Sequence, residues 1–379
     1  MPSIKDHIVI ALLVAINFIF CYKYATRYTD YALVLSLSLL IAQIYGFYYH
    51  NRLARLTWLP KAAVAVLLGF ITLLVIVSHT SISLDSLQVD RWSVISSFIH
   101  ELSQGNYPYY ARSHLGNPPG PMPIYFLIAL PFHLLGELSL LSALGYTILA
   151  IALVRNYKES TYTMPISIFL LTSVFMFWEI TTRSNLFTFS LLVVFVLDAF
   201  DRSKDHSQLS FYGIAICAGL MLSTRSVYIL PYVVFYLSAL SLREISYKKI
   251  ILFTLVSMSA FALSFLPFLL YFYDDFWTIN PFIIQSSFLI PSAYTLLFIA
   301  IAIVLGLLVR SSSDKHFYSG ISLFIAISIY ALFHIHHSGL TRSYMESKVD
   351  ISYFIFSVPF LLLYLLHDDE NPTHAEARK

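Results

Sequence analysis

Ala62-Ala63-Val64-Ala65-Val66-Leu67-Leu68-Gly69-Phe70-Ile71-Thr72-Leu73-Leu74-Val75-Ile76-Val77-Ser78 runs for seventeen residues without a charge. Such a stretch is too apolar to face water, and at ~1.5 Å per residue it nearly crosses the ~30 Å hydrocarbon core of a bilayer. The rest of the chain repeats it. Apolar segments also occupy 8–21, 31–49, 123–135, 137–154, 164–178, 186–200, 209–222, 227–242, 250–270, 291–309, 317–333 and 351–366. Of 379 residues, 58% are hydrophobic and 12% charged, with mean hydropathy +0.74; soluble domains carry about a quarter of their residues as charges. The pattern predicts an all-α, polytopic integral membrane protein of about 12–13 hydrophobic helices. Residues 1–366 form its single transmembrane domain and 367–379 a polar cytoplasmic tail.

Net charge is only +2 and the basic residues are scattered, which excludes a nucleic-acid-binding stripe. Cys21 and Cys217, the only cysteines, both lie in apolar segments and offer neither a disulfide frame nor a thiolate zinc site. After Lys5 the first apolar run reaches Tyr22-Lys23-Tyr24 without a small-x-small cleavage pattern, so a retained first helix is expected there.

Basic residues orient the chain. Lys5, Arg52, Arg55, Lys61, Arg155, Lys158, Arg202, Lys204, Arg243, Lys248, Lys249, Arg310, Lys315, Arg378 and Lys379 fall in one set of connections, fifteen of the 23, and this set is placed in the cytoplasm. The connections around 79–122, 179–185, 223–226, 271–290 and 334–350 then lie outside. Parity allows only one net crossing between the long outer loop and Arg155, yet two apolar segments stand there. Segment 123–135, bracketed by Pro121, Pro123, Pro131 and Gly136, is the shorter, and it is expected to be re-entrant or half-inserted.

The loop 79–122 is the longest connection, and long loops in compact proteins carry function or are disordered. Asp90-Arg91-Trp92-Ser93 opens a stretch in which Val94, Ile95, Phe98, Ile99 and Leu102 recur at helical spacing. That spacing predicts an amphipathic helix in the membrane interface, apolar face down, with Asp90 at its amino end. Gly105-Asn106-Tyr107-Pro108-Tyr109-Tyr110 follows, then His114-Leu115-Gly116-Asn117-Pro118-Pro119-Gly120-Pro121-Met122-Pro123.

An aspartate opening such a helix, a Gly-x-Tyr-Pro-Tyr turn and a Pro-Pro-x-Pro approach to the next helix resemble the first external loop of GT-C superfamily glycosyltransferases, integral membrane enzymes that use polyprenyl-phosphate sugars. The resemblance covers Asp90 to about Tyr125. It implies that Asp90 is the catalytic base, that a polyprenyl-phosphate-linked sugar is the donor, and that a glycan, lipid or protein is the acceptor. It also implies an extracytoplasmic active site in a bacterial plasma membrane. Two extra helices precede the loop, no large soluble domain follows, and Arg91 stands where many relatives have an acid. No cofactor is therefore expected, although Asp274-Asp275 leaves a divalent cation open. From the residues alone, a sugar hydroxyl needs a carboxylate within hydrogen-bond reach to take its proton; the bland alternative is that Asp90 caps its helix, with Asp85 as fallback base.

A leaving phosphate needs cations, and arginine pairs bidentately with phosphate oxygens. Thr-Arg-Ser occurs at 182–184, 224–226 and 341–343, always on the predicted outer side. The expected phosphate-binding set is Arg183, Arg225, Arg342 and His337, with Arg183 and Arg225 sunken below the headgroups because short segments precede them. Snorkelling to the interface is the alternative. Arg91, Tyr107, Tyr109, His114, Asn117, Asp275 and Trp277 complete the expected substrate-binding set, though an interfacial aromatic belt accounts equally for the aromatic members. Two other classes fit the composition: a transporter or flippase of a lipid-linked saccharide, and an O-antigen polymerase or ligase. No internal repeat supports the first, and the early position of the long loop argues against the second.

Overall fold

A computed structural model describes residues 3–53, 59–156, 160–202, 208–288, 290–291 and 293–367. Arg55, Lys158, Lys204, Arg378, Lys379 and the expected tail beyond His367 lie outside the described residues. Within them all regular structure is helical. Helices α1 (Ile4–Ala25), α2 (Ala32–Tyr48) and α3 (His50–Leu53) precede α4 (Leu59–Ser81), which ends at the long loop. The loop holds α5 (Arg91–Ser103) and leads into α6 (Pro123–Leu134) and α7 (Ser139–Asn156). Next come α8 (Thr163–Leu171), α9 (Val174–Thr181), α10 (Leu186–Arg202), α11 (Gln208–Leu222), α12 (Ile229–Ser241) and α13 (Tyr247–Leu263). Short helices α14 (Leu266–Tyr271), α15 (Tyr273–Thr278) and α16 (Pro281–Phe288) connect to α17 (Ala293–Leu307), α18 (Ser312–Ser338) and α19 (Val358–His367).

The hydrophobic helices, expected to number about 12–13, are mostly too short to cross a bilayer as single straight helices. Among the described residues three helices are long and apolar enough to cross a membrane: α1, α4 from Pro60, and α18. The number is five if the bent pairs α6–α7 and α8–α9 each count as one span, and further apolar helical stretches run only 10–17 residues. Polar side chains explain one break. α8 and α9 bend by 57° at Thr172-Ser173, where Asn17 of α1 accepts from the Val174 N–H (2.7 Å) and donates to the Thr172 carbonyl (3.3 Å), while Gln43 of α2 donates to the Thr172 hydroxyl (2.8 Å). The backbone groups freed by the break thus find partners in an apolar setting, which a broken helix requires. The other pair turns by 106°. Proline-bracketed α6 has 12 residues, or ~18 Å at 1.5 Å per residue, and Gly136 with φ +80° makes the corner.

The core centres on α10 and α19. Val358 to Leu366 is buried without interruption, and α10 is buried on most of its circumference; a helix apolar all round belongs inside a bundle. Helices such as α2 and α17 instead expose Leu33, Val34, Ile41, Leu296, Val304 and Leu307. Small residues allow the closest crossings. A Cβ on Gly219 of α11 would sit 2.0 Å from the Ser257 carbonyl oxygen of α13. Gly219→Val is therefore expected to lower stability by about 1–3 kcal/mol through forced separation of the helices, read as a lower Tm in detergent; an unchanged Tm would contradict the crossing.

Polar groups gather in two sets. Near the start of α1, Lys5 pairs with Asp314, buried Lys315 with Asp201 and Glu244, and His316 with Asp198 at 3.0 Å. At the far end of α1, Lys23 lies over Tyr344 (5.7 Å), whose hydroxyl donates to the Ile19 carbonyl. Lys5 and Lys23 are ~27 Å apart along the helix at 1.5 Å per residue. The starts of α1 and α18 thus meet the chain at the ends of α10 and α12, and the chain just past α18 meets the opposite end of α1.

Candidate functional site

The loop 79–122 is built around α5. Its Val94, Ile95 and Phe98 are buried, and Phe98 stacks on Phe126 of α6 (3.6 Å) and meets Tyr109 and Phe268 edge-on. The apolar face expected to lie on lipid is thus packed on protein. Tyr107 and Tyr109, expected as sugar platforms, are also core residues: 3% and 0% exposed, their hydroxyls donate to the Ile279 and Pro121 carbonyls (2.7 and 3.3 Å). Burial, with Asp275 nearby, pushes the Tyr107 phenol well above its usual range.

Asp90 occupies the N-cap position of α5 but makes no side-chain capping bond. Its Oδ2 instead accepts from the Ser113 hydroxyl (2.8 Å) and the Asn117 amide (2.7 Å). These donors sit on a tight turn closed by the Gly116 N–H to the Ser113 carbonyl (2.8 Å), the Ser113 N–H to the Asn117 carbonyl (2.9 Å) and Gly116 at φ +81°. Among the described residues Oδ1 has no partner. His114 accompanies the turn, stacking on Trp92 (5.3 Å) and meeting the Ser93 hydroxyl (2.7 Å) and the Leu87 carbonyl (3.0 Å). Asp85 is exposed on a separate 3-10 turn, Leu84–Ser86.

Arg91 points to a partner that sequence reasoning missed. Its guanidinium pairs with Asp350, donates to the Ser352 hydroxyl (3.1 Å) and lies over Tyr353 (5.6 Å). Burial is the largest influence and works against its charge, but Asp350 together with Tyr353, Asp90 and Tyr125 outweighs it and raises the pKa. The only sequence signal was an acid directly before an apolar segment on the outer side.

Arg225 stands on the same wall. Tyr353 stacks on Phe356 (5.7 Å), and the Arg225 guanidinium lies over Phe356 (5.6 Å) and Tyr125 (5.1 Å). It has no acidic partner among the described residues, and its Nε is buried without a hydrogen bond. Tyr125 donates to Asn185 Oδ1 (2.9 Å), whose Nδ2 is likewise buried and unpartnered. Unsatisfied buried donors are expensive. Two of them flank Tyr125. The Arg225 turn is tied to the proline-rich approach: the Met122 and Ile124 N–H groups donate to the Thr224 and Ser223 carbonyls (both 3.1 Å), and Gln285 donates to the Gly120 carbonyl (2.7 Å).

Arg183 differs from Arg225 despite the shared tripeptide. It is buried, 2% exposed, and its guanidinium donates to Glu137 (3.2 Å), to the Thr181 and Ile82 carbonyls (2.9 and 3.2 Å) and to the Ser78 carbonyl. Four of its five N–H groups are committed, so it splints α4 to the α9–α10 turn, where its φ is +58°. Glu179 fixes that turn by accepting from the Leu186 and Phe187 N–H groups (2.7 and 3.2 Å) at the start of α10 and from the Tyr146 hydroxyl (2.6 Å). Arg342 and His337 are exposed near the end of α18, where His337 packs on Phe333 (4.2 Å); among the described residues no contact joins either to Asp90 or Arg225. Asp274, Asp275 and Trp277 lie on α15, with Trp277 61% exposed. The structure thus gathers Asp90, Arg91, His114, Asn117 and Arg225, and leaves Arg342, His337 and Trp277 apart.

No protein-family model matches the chain, and no curated protein or solved structure matches it either.

Proposed function

We propose that the protein is a polytopic membrane glycosyltransferase resembling the GT-C superfamily, which moves a sugar from a polyprenyl phosphate to an acceptor hydroxyl on the extracytoplasmic side. The observation that carries this is Asp90: a half-buried carboxylate with one oxygen fixed by Ser113 and Asn117 and the other open, in the same loop assembly as an unpaired Arg225. Such a carboxylate is oriented to accept a proton. As the acceptor oxygen bonds to the anomeric carbon, its proton passes to Asp90 Oδ1, and the bond from that carbon to the phosphate oxygen breaks with its electron pair. Arg225 stabilises the departing charge. Attack opposite the phosphate inverts configuration. Arg91, neutralised by Asp350, shapes the wall between the two groups. Of the arginines expected to hold phosphate, Arg225 is retained, and Arg183 is assigned to structure.

Arg225→Lys tests the phosphate role. A charge-assisted contact contributes about 1.5–3 kcal/mol, and lysine keeps the charge but loses the planar fork. The variant is expected to keep its Tm and to bind a polyprenyl-phosphate sugar analogue about tenfold more weakly. Arg225→Gln should weaken it toward a hundredfold. Wild-type affinity in both variants would remove Arg225 from the site.

A further inference from the structure

Trp92 and Ser96, one turn apart on α5, wall a cavity of about 140 Å3 that His133 of α6, Glu137 of the α6–α7 turn and Arg183 complete. A single water needs only ~10–15 Å3 of such space, so the cavity has room for a small organic ring. Its charges cancel. Arg183 is paired with Glu137 and spends its other donors on backbone carbonyls, so an anion entering here would meet a carboxylate and a cation would meet a guanidinium. What remains is hydrogen-bonding capacity of both kinds. Among the described residues Glu137 Oε2 holds only a 3.3 Å contact from His79, Ser96 and His133 share one of 3.3 Å, and the Trp92 indole N–H is buried with no partner.

Vicinal hydroxyls, each a donor and an acceptor, match that combination, and an indole is a flat apolar surface for the C–H face of a sugar ring. Trp92 is braced by His114 at 5.3 Å, the residue beside Ser113, whose hydroxyl holds Asp90. The cavity therefore begins two positions along α5 from the proposed base.

We propose that this cavity is a saccharide subsite for one uncharged pyranose. That its occupant belongs to the acceptor rests on the glycosyltransfer proposed above; the binding itself does not. The test is calorimetric titration of the full-length protein in detergent with methyl glucoside, methyl galactoside and methyl mannoside, with inorganic phosphate as the charged probe. At least one glycoside is expected to bind saturably. Ser96→Leu, which fills the cavity, and Trp92→Phe, which keeps a ring but removes the N–H, are each expected to weaken it about tenfold, with polyprenyl phosphate binding unchanged in both. Either variant alone suffices if the other does not fold. No saturable glycoside binding, wild-type affinity in the folded variants, or displacement of the glycoside by inorganic phosphate would each overturn the subsite. Glycoside binding without any sugar transfer would leave the subsite standing and count against the glycosyltransferase; transfer without glycoside binding would do the reverse.

Discussion

Asp90→Asn is expected to fold, to bind donor as wild type does, and to lose sugar transfer by a factor of about a hundred or more, because the amide cannot take the acceptor's proton. The amide oxygen can still accept from Ser113 and Asn117, with Nδ2 at the position Oδ1 leaves open, so the loop has no reason to collapse. Separate measurement of donor affinity and turnover distinguishes this from a binding defect: affinity should be unchanged while the rate falls. If Asp90→Asn retained activity and Asp85→Asn did not, the base would be Asp85, despite its exposed 3-10 turn. Activity in both variants would sink a single-carboxylate mechanism on this loop.

The second large effect concerns stability. Glu137→Ala would leave the Arg183 guanidinium, 3% exposed on its side chain, without its carboxylate, and breaking a buried pair from one side costs about 3–5 kcal/mol. A marked fall in Tm is expected, with Glu137→Gln milder because its amide oxygen still accepts from Arg183 and from the Ser139 N–H (2.9 Å). Arg183→Lys should also lose stability, since an ammonium cannot reach the four acceptors the fork now serves. Were Arg183 a phosphate ligand instead, Glu137→Ala would spare the Tm and tighten donor binding. The thermal melt and the donor titration give opposite signs for the two roles.

The Thr-Arg-Ser repeats show what one-dimensional patterns carry. Tripeptide and outer placement are the same at Arg183 and Arg225, but the partner that consumes Arg183 is Glu137, 46 positions away, and nothing local announces it. The partners of Asp90 are more local, because Ser113 and Asn117 lie on the same loop and the glycine and prolines that shape it are visible in the sequence. Tyr107 and Tyr109 were misplaced because a tyrosine whose hydroxyl finds a backbone carbonyl belongs to the core as readily as to a binding surface. The helix break at Thr172 had a signal that hydropathy averages away: Asn17 and Gln43, amide side chains inside apolar stretches of α1 and α2, are spent on another segment.

Purified protein in detergent, with no sealed compartment, tests the central claim most directly. Incubated with a panel of synthetic polyprenyl-phosphate hexoses and an extract of envelope glycans, wild-type protein is expected to convert at least one donor to polyprenyl phosphate with the sugar appearing on an acceptor, and Asp90→Asn is not. Intact donors throughout, with the same preparation moving a lipid-linked saccharide between leaflets once reconstituted into vesicles, would contradict glycosyl transfer and identify a transporter.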